Sequence, residues 1–307
     1  MAESSEVMVA AIAPPRAKAG RRAGLGATLR QPGVLAAVPM GLLLAAGFVG
    51  PLVLVFLFAF MPAQSFSILQ VPTLANFVEI FSTSYYLSFV ASLGLAALAV
   101  AILAVVCYPL AYAMTRVFGR HAAWLTVLIG APLFVADNLR LMGWVLFLVK
   151  GGVVSGTLER LFGLEVDSML YTTGATLFGL VYTYLPFMLF PMILGVSMVP
   201  AQMREAAFDL GASRFQVLRE VEVPLAMPGI LIGALITFIL AAGSLSEAKI
   251  LGGTAVVMVA QDIQKEFTFA QNWPKGSALS VLLILVAGAL AFAALKRIDL
   301  DTIFGRK

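Results

Sequence analysis

A chain of 307 residues that is 61% hydrophobic and only 12% charged, with a mean hydropathy of +0.99, has the composition of a membrane protein. Globular chains are about a quarter charged. A single cysteine, Cys107, excludes an internal disulfide framework and any multi-cysteine metal site; a single histidine, His121, excludes a histidine-cluster metal centre. The net charge of +4 is modest and reflects topology more than nucleic-acid binding.

Residues 1–32 are rich in Ala, Gly and Arg and lack a small-residue cleavage site followed by a soluble domain. They read as a disordered, basic cytoplasmic tail and not as a signal peptide. Six apolar segments follow, at about 34–60, 86–115, 122–149, 173–199, 226–248 and 277–295. Each meets the roughly 20-residue requirement for a helix across a bilayer. The expected fold is an all-α integral membrane domain over residues 33–300, with 301–307 as a C-terminal cytoplasmic tail. Pro39, Pro51, Pro109, Pro132, Pro186 and Pro191 fall in or near the spans, where neighbouring helices can satisfy the freed carbonyls.

Lys and Arg set the orientation. One side collects Arg16, Lys18, Arg21, Arg22, Arg30, Arg116, Arg120, Arg204, Arg214, Arg219, Lys296, Arg297, Arg306 and Lys307. The other has Lys150, Arg160, Lys249, Lys265 and Lys275. Fourteen against five predicts both termini inside. The loops expected outside, 61–85, 150–172 and 249–276, are too short for a capturing domain of their own, although interfacial helices would fit. No internal repeat is visible, so an inverted-repeat carrier gains no support.

The most informative polar stretch is residues 205–224, EAAFDLGASRFQVLREVEVP. Charges this dense do not lie in hydrocarbon, so the stretch is an aqueous loop. Met203, Ala206, Ala207 and Leu210 share one helix face. Gly211 can stop that helix in a left-handed conformation. Ser213 with Gln216 forms a capping box for a second helix, lined by Phe215, Leu218 and Val221 and expected to end at Pro224.

Glu205-Ala206-Ala207, then Gly211, then Val221, Val223 and Pro224 resemble the EAA loop of ABC-importer permeases, here within residues 200–226. The family usually has Ile and Leu where this chain has Val221 and Val223. Upstream, residues 182–191 (YTYLPFMLFP) and 137–144 (DNLRLMGW) are similar to the spermidine/putrescine branch. The resemblance covers roughly residues 85–300. It implies six spans and a multi-pass place in the bacterial inner membrane. It also implies alternating access driven by partners: a second, related permease, two ATP-binding subunits and an external solute-binding protein, with lipid around them and no nucleic acid.

No P-loop pattern occurs, so this chain is expected to hold no cofactor, with ATP and magnesium bound by partner subunits. No H-E-x-x-H or G-x-S-x-G occurs either, and catalysis in this chain is not expected. The resemblance gives Glu205, Ala206, Ala207, Asp209, Leu210 and Gly211 the role of docking an ATP-binding subunit.

Ionisable residues within spans are functional candidates by default. Asp137 lies ~15 residues into the third expected span, hence ~22 Å along it. Arg140 can pair with it one turn on. Glu247, near the end of the fifth span, is the second carboxylate, with Lys249 available to pair. Trp144, Tyr182 and Tyr184 offer aromatic faces that attract ammonium groups. These six residues are the candidate path for a small cationic solute such as a polyamine, with a structural ion pair that fixes helix packing as the alternative for Asp137 and Arg140. Another amine, an aminophosphonate or an oxyanion on the same machinery is the alternative, and an ion-coupled carrier or channel is the rival from another class.

Overall fold

The computed structural model describes residues 32–164 and 167–296, so the expected tails lie almost entirely outside the described residues. Those residues are helical, with no strand among them. Six helical segments are long and apolar enough to cross a membrane: Val38–Phe58, Tyr85–Arg116, Asp137–Phe162, Thr173–Ser197, Arg214–Ala242 and Trp273–Ala293. The fold class is therefore an all-α membrane domain.

Among the described residues two compact units are distinguished, one ending at Leu54 and the other beginning at Val55. In the first, α1 (Pro32–Leu44) runs into a π-turn, Ala45–Val49, which leads into α2 (Gly50–Phe58). The turn has a local cause. Pro51 has no N–H to give, and the ladder widens just before it, with Gly50 N–H reaching back to Ala45 O.

The second unit contains α3 (Ala75–Ser82), α4 (Tyr85–Arg116), α5 (Ala122–Gly130), α6 (Asp137–Leu148), α7 (Val153–Phe162) and α8 (Thr173–Ser197). After these come α9 (Ala201–Asp209), α10 (Val223–Ala242), α11 (Val259–Thr268) and α12 (Trp273–Leu295). The helices α4, α8 and α10 form its centre. Leu103, Cys107, Ala111 and Met114 of α4 pack with Met188, Leu189, Met192 and Val196 of α8 and Ala226 of α10. Farther along, Leu95, Ala96 and Ala99 meet Leu180, Ala241 and Ala242.

Small residues let α8 and α10 touch backbone to backbone. A Cβ on Gly229 would lie 2.4 Å from the Pro191 carbonyl oxygen and 2.6 Å from Gly195 Cα. Apolar burial alone cannot select partners in lipid, because tails are as apolar as leucine; close van der Waals packing through small residues can.

Three expectations need correction. The segment 122–149 is not one helix. A 3₁₀ turn at Ala131–Phe134 follows α5, Val135 and Ala136 are extended, and Asp137 opens a new helix. The interruption follows Pro132. Asp137 is therefore a first-turn residue, and its depth cannot be counted along a continuous helix. The membrane-length segment in this region is Asp137–Phe162, itself bent between α6 and α7, where Gly151 has φ +74°. Pro224, finally, does not end the loop's second helix. A π-turn, Val217–Glu222, carries the chain directly into α10, with Val223 N–H bonded to Leu218 O. Proline is tolerated at the second position of α10 because the widened turn asks no N–H of it.

Candidate functional site

The loop between α8 and α10 forms as its local chemistry predicts. Pro200 precedes α9, and Gly211 leaves it with φ +84°. The capping box is complete: Ser213 Oγ accepts from Gln216 N–H at 3.3 Å, and Gln216 Oε1 accepts from Ser213 N–H at 2.8 Å.

The apolar stripe is where sequence and structure part. Met203, Phe208 and Leu210 are exposed, Leu210 at 88%, and so is Phe215 of the second helix. Glu205, Ala206 and Asp209 are exposed as well, and the two carboxylates make no ion pair among the described residues. Only Arg204 and Ala207 of α9 turn inward. Leu218, Val221 and Ala207 are half-buried, so the expected apolar lining is only partly covered.

What holds the loop is a charge that the sequence reading did not single out. Glu222 is 3% exposed, and its carboxylate pairs with Arg204 Nε at 3.5 Å. Arg116, at the end of α4, donates to Val196 O at 3.1 Å and Val199 O at 2.7 Å, tying down the chain where it leaves α8. Val217 and Glu222 are both buried although five residues apart. An α-helix would put them on different faces, and the π-turn brings them towards the same one. A buried Glu between Val221 and Val223 was the available signal; the helical period hid it.

The candidate path residues form two neighbouring groups. In the first, Arg140 Nη2 pairs with Asp137 Oδ1 at 2.9 Å, and its guanidinium stands 5.8 Å from the centre of the Tyr182 ring. Trp144 meets Phe178 edge-on at 4.6 Å and Tyr182 at 5.3 Å. One face of Tyr182 is thus engaged by the chain's own cation. In the second, Glu247 is 1% exposed and accepts a short hydrogen bond from Ser244 Oγ. Tyr184 lies against Ser244 and Glu247. Among the described residues, Glu247 Oε1 and Thr237 Oγ1 are buried without a hydrogen-bond partner, and Thr183 lies beside Glu247. Lys249 does not pair with Glu247; its ammonium reaches Gln264 Oε1 at 3.3 Å. Thr183, Thr237 and Ser244 carry no signal in sequence, where a single hydroxyl in an apolar run looks like any other. No group of three metal-ligating side chains occurs among the described residues.

A profile of the binding-protein-dependent transport system inner membrane component family matches residues 122–300, which include the loop and both candidate groups. The chain belongs to that family. It is therefore a transport subunit of the inner membrane, and it is an ABC-importer permease. Relatives agree. The spermidine/putrescine transport system permease protein PotB of Haemophilus influenzae is 33% identical over 221 residues, 72% of this chain and 77% of that one. PotB of Escherichia coli is 29% identical over 219 residues, 71% and 80% of the two chains. The inner membrane ABC transporter permease protein YdcU of Escherichia coli is 28% identical over 235 residues, 72% and 74%. A chain of a bacterial alginate ABC transporter, solved in complex with an alginate pentasaccharide-bound periplasmic protein, superposes with a TM-score of 0.74 at 16% identity, over 91% of this chain and 98% of that one. At that identity it shows the shared fold.

Proposed function

We propose that this permease serves a polyamine importer and moves a spermidine- or putrescine-like solute inward by alternating access. Its partners in this reading are a related second permease, two ATP-binding subunits and an external solute-binding protein. ATP and magnesium belong to the ATP-binding subunits. In this reading the loop and both termini face the cytoplasm, which the basic-residue count supports.

The observation that carries the coupling role is α9, a short helix with an uncovered apolar face and an internal charge tie behind it. Exposed Met203, Phe208 and Leu210 beside small Ala206 suit a shallow cleft on a partner. Glu205 and Asp209, both uncommitted, can take its cationic side chains. Glu222 and Arg204 carry a push on α9 into α10. The polyamine assignment is supported by the PotB relatives and by the buried carboxylate Glu247. We assign Asp137, Arg140, Trp144 and Tyr182 to packing, because their charges and ring faces engage one another. Glu247 and Tyr184 are assigned to the path.

The test is uptake of labelled putrescine and spermidine by polyamine-transport-deficient cells that express the complete transporter, with a parallel titration of its solute-binding protein. A binding protein that takes an oxyanion or a sugar and ignores amines would end the polyamine reading. An active transporter whose Glu247→Gln variant keeps normal rate and half-saturation would remove Glu247 from the path.

A further inference from the structure

At the end of the second unit away from α9, helices α3, α4, α11 and α12 surround a cluster of charges and an open cavity of about 690 Å³. Lys275, on the first turn of α12, is 8% exposed. Its Nζ lies 2.8 Å from Glu79 Oε1, 3.7 Å from Glu266 Oε1 and 4.6 Å from the centre of the Tyr85 ring. The Tyr85 hydroxyl donates to the same Glu266 carboxylate. The chain thus holds its own primary ammonium over an aromatic face, between two carboxylates.

A third carboxylate is not used by that arrangement. Asp262 sits one turn before Glu266 on α11, is 8% exposed and borders the cavity. It has no Lys or Arg nitrogen within ion-pair distance among the described residues. The Ser88 hydroxyl is the polar group against it, and Lys265 lies exposed at the rim. Burial pushes the Asp262 carboxyl above the usual carboxylate range. Three carboxylates, buried Asp262 and Glu266 and partly exposed Glu79, face two ammonium groups, buried Lys275 and exposed Lys265. The cluster is short of positive charge at the carboxylate that faces open space.

The rest of the lining selects the kind of cation. A bare calcium or magnesium ion needs about six oxygen ligands. Here one carboxylate, a few hydroxyls, among them Ser84 and Ser88, and the lysines Lys265 and Lys275 share the wall with Leu87, Val256 and Val257; Lys275 is held by Glu79 and Glu266 and Lys265 is exposed, which leaves Asp262 to a ligand. That combination suits an ammonium head on a methylene chain. The volume is in the range of small-molecule sites.

We propose that this cavity is a second, entrance-side amine site, in which Asp262 and Ser88 take a terminal ammonium and Tyr85 and the apolar wall take the carbon chain. The proposal deepens the polyamine reading and rests on it for the identity of the solute. It gives the solute a stop at the end of the bundle opposite the coupling loop, before the buried Glu247 group.

The complete transporter, reconstituted in nanodiscs without its binding protein, can be unfolded thermally in 1,4-diaminobutane, butane-1,4-diol or sodium chloride at matched ionic strength. The diamine should raise Tm in a saturable way, and the diol and the salt should not. Asp262→Asn keeps shape and a hydrogen bond to Ser88 but loses the charge; it should weaken the diamine response about tenfold. If that variant fails to assemble, Ala91→Phe, which fills the cavity from α4, should abolish the response with Asp262 intact. No diamine response in the unmodified complex, or an equal response in Asp262→Asn, overturns the site. Uptake separates the two readings. Amine import that is unchanged in Asp262→Asn removes the site and leaves the polyamine function standing. A diamine response that depends on Asp262, in a transporter that imports no amine, keeps the site and removes the function.

Discussion

The two ends of the second unit treat charge and apolar surface in opposite ways. Around Lys275, charged groups turn inward and close on one another, drawing four helices together. Around α9, one ion pair is buried and almost everything else faces out, apolar side chains included. A closed charge cluster binds an end of a bundle to itself. An open apolar helix on a single buried tie leaves an end unfinished, as a surface awaiting a partner would be. The contrast separates an end closed by its own charges from an end whose apolar side chains are left uncovered.

Four substitutions test that contrast. The largest effect is expected from Lys275→Met, which strands Glu266 in a buried site. Breaking a buried pair by removing one partner costs about 3–5 kcal/mol. The transporter should lose thermal stability and membrane abundance; a normal melting curve would mean that the cluster does not hold the four helices. Gly211→Val comes next, because a β-branched residue at φ +84° costs about 1–3 kcal/mol. A Cβ there meets nothing within 4 Å, so the cost is conformational, and Gly211→Asn should recover most of the lost uptake.

A smaller stability loss, about 1 kcal/mol, is expected from Glu222→Gln, since the pair is long and the Arg204 side chain is 22% exposed. Its main effect should be on coupling, with ATP hydrolysis kept and uptake reduced. Loss of both in proportion would make Glu222 merely structural. Leu210→Ser, on the open face, should change stability by less than about 0.5 kcal/mol. Co-purification of the ATP-binding subunits should still fall, and an undiminished yield would place the dock elsewhere.

Legibility in the sequence follows the range of the interactions. The Ser213–Gln216 cap and the turn at Gly211 are settled within a few residues, and they form as read. Apolar length found the membrane segments, although Pro132 and the extended pair Val135–Ala136 broke the third where hydropathy shows no break. The apolar stripe of α9 is largely uncovered, because such a stripe on a helix signals burial without saying in what. The Lys275 cluster was invisible for a simpler reason: Lys275 and Glu79 are 196 residues apart, and neither local pattern announces the other. Asp137 and Arg140, three apart, were found as a pair.

The continuity from Arg214 to Ala242 has a mechanical meaning. These 29 residues form one rod, ~43 Å long at the α-helical rise. Near its middle, Gly229 presses against Gly195 and the Pro191 carbonyl, with no side chain between the backbones. Such a contact resists sliding, and it would serve as a fulcrum if the rods tilt. The arms on either side are ~22 Å and ~20 Å. A see-saw with nearly equal arms neither amplifies nor damps a displacement, but it reverses the direction. A few ångströms of motion where α9 meets the rod would then reappear, with opposite sense, just before Ser244 and Glu247.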